Sequence, residues 1–116
     1  MTDLQAPLAI PVSTTGRVDG REISTHVGPV FGLIVRSTGA GGNLRGTFKG
    51  LKQGEVSEFS ASLEEARHVA LERLVEHAQS LGGDAVVGLR FDSTDMGSTQ
   101  GTAEILAYGT AVKLAP

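Results

Sequence analysis

A chain of 116 residues has the size of one domain, and such a domain buries only about two-thirds of the surface its unfolded chain exposes. With 40% hydrophobic and 20% charged residues it has the balance of a soluble globular protein, but aromatics are only 4% and glycines number 16, so small residues must do much of the packing. A formal charge of −3 gives no broad attraction for nucleic acid or anionic lipid. The absence of cysteine excludes disulfides and thiolate metal centres.

In chain order, Met1 to Pro7 reads as a loose arm and residues 8–116 as a single domain. The opening "MTDLQAPLAIPV" lacks a basic n-region, and its prolines interrupt the apolar run, so neither a signal peptide nor a membrane span is expected and the cytoplasm is the default location. "LAIPVSTT" predicts a short strand, and "GRVDGRE" supplies the glycine and aspartate of a hairpin turn.

From Ile23 to Arg36 the alternation sets Val27, Phe31, Leu33 and Val35 on one face of a strand and Gly28, Val30, Gly32 and Ile34 on the other. Both faces are apolar. Pro29 has no amide for a ladder, so this strand is expected to be bent, bulged or at an edge there. Ser37 to Glu55 is glycine-rich and reads as a loop followed by a short, poor helix.

Ser62 and Glu65 form an S-x-x-E pattern that predicts a helix from about Leu63 to Leu81. Its dry stripe is Leu63, Ala66, Ala70, Leu74, Ala78 and Leu81, and Gly82–Gly83 supplies a left-handed cap. "DAVVGLRF" then predicts a strand with Ala85, Val87, Leu89 and Phe91 facing the helix and Val86 and Gly88 facing away. "DSTDMGSTQG" reads as a turn. In the last strand, "TAEILAYGTAVKL", Ile105, Ala107 and Ala111 oppose Leu106, Tyr108, Val112 and Leu114.

One helix covers one side of a sheet, yet these strands show no wet side. The expected cover is a second copy of the chain, with Gly28, Gly32 and Gly88 allowing close approach on the far face. The alternative cover is the N-terminal strand together with the Ser37 to Glu55 segment. The fold class expected is α+β, a small antiparallel sheet against one long amphipathic helix in β-β-α-β-β order, closed into an oligomer.

"QGEVSEFSASLEEARHVALERLVEHAQSLGGDAVVGLRFDSTD", Gln53 to Asp95, followed by "AEILAYGTAV", Ala103 to Val112, resembles the YbjQ-like family, also called the putative heavy-metal-binding domain. "IPVSTTGRVDGREISTHVGPVFGLIV" is similar to its opening. The chain departs from the family's usual pattern where Gln53 replaces the first glycine of Gly-Gly-Glu, where Phe59 replaces tyrosine, and where the family's G-A-N-A-V-V is Gly82 to Val87. The resemblance implies an α+β fold and closed homo-oligomers, commonly pentamers. It brings no established activity, and a metal cofactor is implied by the family name alone.

The residues themselves offer little metal chemistry. Three histidines and no cysteine are present, and His68 and His77 point about 180° apart on a helix of about 100° per residue. His26 and His77 remain the candidate metal ligands, each also readable as structural. Asp92 and Asp95 make an acidic turn that lacks a calcium-loop pattern. "TGAGGN" lacks the ending of a P-loop, and no nucleophile elbow occurs.

Thr14, Thr15, Glu55, Arg67 and Asp84 are the candidate ligand-binding residues. The expected function is a non-catalytic oligomeric scaffold or binding protein that holds a metal ion or small ligand between subunits, its partner being itself. The alternative is an enzyme of unknown reaction that shares Glu55, Arg67 and Asp84 at an interface.

Overall fold

The computed structural model describes residues 7–37, 57–97 and 102–116. Strand β1 is Ile23–Ser37, helix α1 Ser57–Ser80, strand β2 Ala85–Gly97 and strand β3 Thr102–Leu114. The sheet is antiparallel with order β1-β3-β2, so the last strand made is the central one. The class is α+β as expected, but among the described residues the order is β-α-β-β. The glycine-rich loop and its short helix lie outside those residues.

The N-terminal segment does not form a hairpin with β1. It runs parallel to the outer edge of β2, where Val12 bridges Val86. Its bonds are Val86 N–H to Pro11 O at 3.0 Å, Ser13 N–H to Val86 O at 2.8 Å, and Gly88 and Leu89 N–H to Thr15 and Ser13 O at 2.8 and 3.0 Å. Pro11 can take that place because it contributes a carbonyl there, not an amide. The "GRVDGRE" turn does form, with Arg21 N–H donating to Val18 O at 3.1 Å.

Helix α1 starts at Ser57, upstream of the Ser62–Glu65 pattern, which therefore lies inside the helix. No glycine or proline stands between Gly54 and Gly82 to stop it, and a Ser and a Glu three apart are also neighbours within a helix. Its end follows the expectation: Gly82 N–H donates to Gln79 O at 3.0 Å and Gly83 N–H to Ala78 O at 2.8 Å, with Gly82 at φ 80°. That is the Schellman pattern. Ala66, Ala70, Leu74 and Ala78 are buried with Val75, whereas Leu81 falls past the last turn and is exposed.

Helix and sheet approach unusually closely at β1. A Cβ on Gly32 would stand 1.9 Å from Ala70 O and 2.5 Å from Leu74 N. Gly32 therefore faces the helix, contrary to the expected far-face position. The core on that side is Val30, Ala66, Ala70, Leu74, Ala78, Val86, Leu89, Ile105, Ala107 and Ala111. Burying a residue such as Leu74 or Ile105 contributes roughly 1.5–3 kcal/mol.

Of four register shifts in the sheet, two bear on which residues meet the helix. One lies between His26 and Gly28 on β1, and it brings Val27 to the helix side, against the same core. The other lies between Val87 and Arg90 on β2, where Gly88 has φ 66°. Before it Val86 faces the helix and Ala85 and Val87 face away. After it Leu89 faces the helix, so the expected face of Ala85, Val87, Leu89 and Phe91 is broken in the middle. Nothing lies within 4 Å of a Cβ on Gly88; its glycine serves the backbone conformation and not close approach. In β3 the expected division of faces holds.

Replacing Gly32 with Ala should cost at least about 1–3 kcal/mol, because the added methyl meets helix backbone and not a movable side chain. Gly16→Ala, with nothing within 4 Å, should stay within about 0.5 kcal/mol of the parent. Denaturant midpoints of the two variants check the contrast.

Candidate functional site

The sheet face turned away from the helix divides into two halves. At one end Ala85, Val87, Val112 and Leu114 are covered by Val18 of the N-terminal turn and by Ile23. At the other end nothing among the described residues covers Phe31, Leu33, Val35 and Tyr108, which are 49%, 44%, 50% and 38% exposed. Phe31 stands directly opposite Tyr108 and Leu33 opposite Leu106. Across β3, Arg90 is opposite Tyr108 and Asp92 opposite Leu106. The uncovered half is thus apolar along β1 and charged along β2.

The outer edge of β1 borders this patch, and two side chains one turn apart on α1 reach it. His77 Nδ1 accepts the Phe31 amide at 3.0 Å, and Arg73 Nη1 donates to Leu33 O at 2.7 Å. The His77 and Phe31 rings are also stacked, with centroids 6.4 Å apart. Phe31 and Leu33 therefore turn their backbone groups outward, and by alternation so does Pro29, whose missing amide falls on the open edge. Sequence reasoning left His77 between packing and ligation and missed Arg73; the signal available was their separation of four residues on the helix.

A second feature is a hollow of about 1090 Å³ formed by the N-terminal segment, with Ser13, Thr14, Thr15, Arg17, Arg21 and Glu22 in its lining. The Ser13 and Thr15 hydroxyls are engaged locally. Ser13 and Thr15 are hydrogen-bonded to each other at 2.8 Å, and Thr15 Oγ1 donates to Arg17 O at 3.1 Å. Arg90, unremarked in the sequence, holds the segment down by donating to Thr14 O at 2.9 Å and to Leu89 O at 2.7 Å.

The candidate ligand residues do not converge. Thr14 and Thr15 line the hollow beside Gly88. Asp84 lies just ahead of β2, where its carboxylate accepts the Leu114 amide at 2.9 Å. Arg67 borders a different, shallow depression with Glu64, His68, Leu71 and Phe91. Glu55 lies outside the described residues.

For a soft metal the fit fails within one chain. His26 is exposed on β1, His68 is half-buried on α1, and His77 spends a ring nitrogen on the Phe31 amide. No group of three metal-ligating side chains occurs among the described residues. All three histidines of the sequence are in that set.

A small antiparallel sheet with one long helix across it is the fold of a protein of unknown function, of the DUF74 family, from Pediococcus pentosaceus. The two agree with a TM-score of 0.61 at 16% identity, covering 91% of this chain and 98% of that one. The chain belongs to the YbjQ-like family, whose model, described as "putative heavy-metal-binding", matches residues 10–115. Among its relatives are UPF0145 proteins from Bradyrhizobium sp., 45% identical over 90% of this chain and 93% of that protein, and from Fervidobacterium nodosum, 48% identical over 89% and 94%. Another, from Thermotoga maritima, is 45% identical over 89% and 95%.

Titration of the purified chain with zinc or copper in a calorimeter should show no saturable submicromolar site. Asp84→Ala should lower stability by about 1–3 kcal/mol, since it leaves the Leu114 amide without its charged acceptor, while metal uptake stays the same. A tight site lost on replacing His26 or His77 would restore the sense of the family's description.

Proposed function

We propose that this protein is a homo-oligomeric binding protein whose subunits meet over the uncovered half of the sheet. The observation that carries the reading is the contiguous exposure of Phe31, Leu33, Val35 and Tyr108 on one face, beside a strand edge. Soluble proteins seldom leave such a patch open. A second copy is the occupant that the chain supports, because the N-terminal segment is already committed to the other half through Val18. The patch also reaches the outer border of the sheet, so a neighbour can lie on it without displacing an element.

The face is unlike on its two sides, apolar on β1 and charged on β2. That suits a head-to-tail contact, which closes into a ring, better than a two-fold one. The pentamer implied by the family resemblance is a ring of that kind. A small ligand would sit where subunits meet, with the hydroxyl-lined hollow of Ser13 to Glu22 available as one wall. Binding is favoured over catalysis because Asp84 ahead of β2, the threonines of the N-terminal segment and Arg67 on α1 do not converge. No helix among the described residues is long and apolar enough to cross a membrane.

Light scattering and native mass spectrometry at micromolar concentration should give a closed oligomer. Phe31→Ser combined with Leu33→Ser should weaken assembly about a hundredfold or more, from the apolar area removed. A soluble monomer in the parent protein would defeat the reading and assign the cover to the chain's own Ser37 to Glu55 segment.

A further inference from the structure

From the geometry at the border of β1 we infer that His77 is a pH-operated clasp on that strand: neutral, it holds the Phe31 amide; protonated, it lets go. The amide donates to Nδ1 at 3.0 Å, so that nitrogen carries no proton and the neutral ring bears its hydrogen on Nε2. Protonation puts a hydrogen on Nδ1 as well. The contact then sets donor against donor, and the Phe31 N–H loses its partner on an edge with no neighbouring strand among the described residues. Imidazole is the side chain that ordinarily makes this change near neutrality.

The rest of the clasp does not titrate in that way. Arg73 holds Leu33 O through a guanidinium that stays charged, so β1 keeps one tether while the other is released. The titratable and charged groups around this end of the helix are few. On α1 they are Arg73 and Glu76. Between Val27 and Val35 β1 carries none, with His26 just before that stretch. On β3 they are Tyr108, opposite Phe31, and Lys113, whose ammonium lies 3.7 Å from where a Cβ on Gly82 would stand. On β2 they are Arg90, bound to Thr14 O, and Asp84 just ahead of the strand, bound to the Leu114 amide.

The residue released heads the β1 side of the exposed patch, where it stands opposite Tyr108. His77 touches Phe31 twice, through the amide and through the stacked ring. Acidification therefore frees the backbone edge beside the aromatic that the proposed subunit contact uses. This bearing on assembly rests on the reading of that patch as an interface between copies. The clasp itself does not.

The test uses the 15N-labelled full-length protein between about pH 8 and about pH 5. Two-bond nitrogen–proton spectra of the imidazole give the state of His77, and the protection factor of the Phe31 amide, corrected for intrinsic exchange, reads the clasp. Native mass spectrometry runs in parallel. In the parent, protection of Phe31 should fall about tenfold as His77 protonates, whereas the Gly32 amide, turned toward β3, should keep its protection. In His77→Gln, which offers a non-titrating acceptor, that fall should vanish. His77→Phe should be poorly protected at both ends of the range.

An equal fall in the parent and in His77→Gln, or a parent whose Phe31 protection does not follow the His77 titration, overturns the clasp. A fall in protection with an oligomer of constant mass overturns its role in assembly. A monomer throughout, with protection still following His77, rejects the interface and upholds the clasp.

Discussion

The close passage of α1 over β1 at Gly32 sets the position of nearly everything else. With no Cβ at that point, the helix backbone at Ala70 and Leu74 settles onto the strand itself, and the small side chains Ala66, Ala70 and Ala78 keep the layer thin along its length. Because the axis runs so near the border of the sheet, the side chains at 73 and 77 overhang it and reach main-chain groups on the far side of the strand. A helix held off by one more methyl would pack on the sheet in the ordinary way, with Phe31 N–H and Leu33 O left to water.

The two borders of the sheet are finished by different means. On β2 the chain lays its own N-terminal main chain alongside, and the bulge gives that segment two amides, Gly88 and Leu89, where a regular strand would give one. On β1 the finish is made by side chains and by Pro29. Main chain against main chain fixes a register; two side-chain bonds and a missing donor only discourage a partner. The open patch borders the second kind of edge and not the first.

Much of this could be read from residue order, and what could not has a physical reason. The helix stripe, the Gly82–Gly83 stop and the alternation of β3 follow periods of 3.6 and 2 and were legible. The bulges were not, because one extra residue at Gly88 or near Val27 reverses every face beyond it without altering composition. The start of α1 was misplaced because an S-x-x-E pair reads alike at a cap and inside a helix. The N-terminal segment looked like half of a hairpin because parallel pairing leaves no local turn signal. Of the candidate site, the threonines do line a hollow, while the bond from the Leu114 amide to Asp84 joins residues 30 apart and leaves no local pattern to read. His77 was visible as ambiguous; only the close packing at Gly32 decides which role it takes.

The spacing of the clasp also bears on the order in which the chain is made. His77 lies 46 residues after Phe31, and the strand that flanks β1 is later still, with Tyr108 opposite Phe31. At ordinary translation speeds of about 5–20 residues per second, β1 leaves the ribosome about 2–9 s before its helix side chains. Val30 to Val35, "VFGLIV", has no charge and strong β-propensity, the composition of a cross-β template. During that interval its protection is local: Pro29 breaks the pairing on one side and the Arg36 charge guards the other. The nascent chain thus relies on gatekeepers for a task that the finished fold hands to Arg73 and His77.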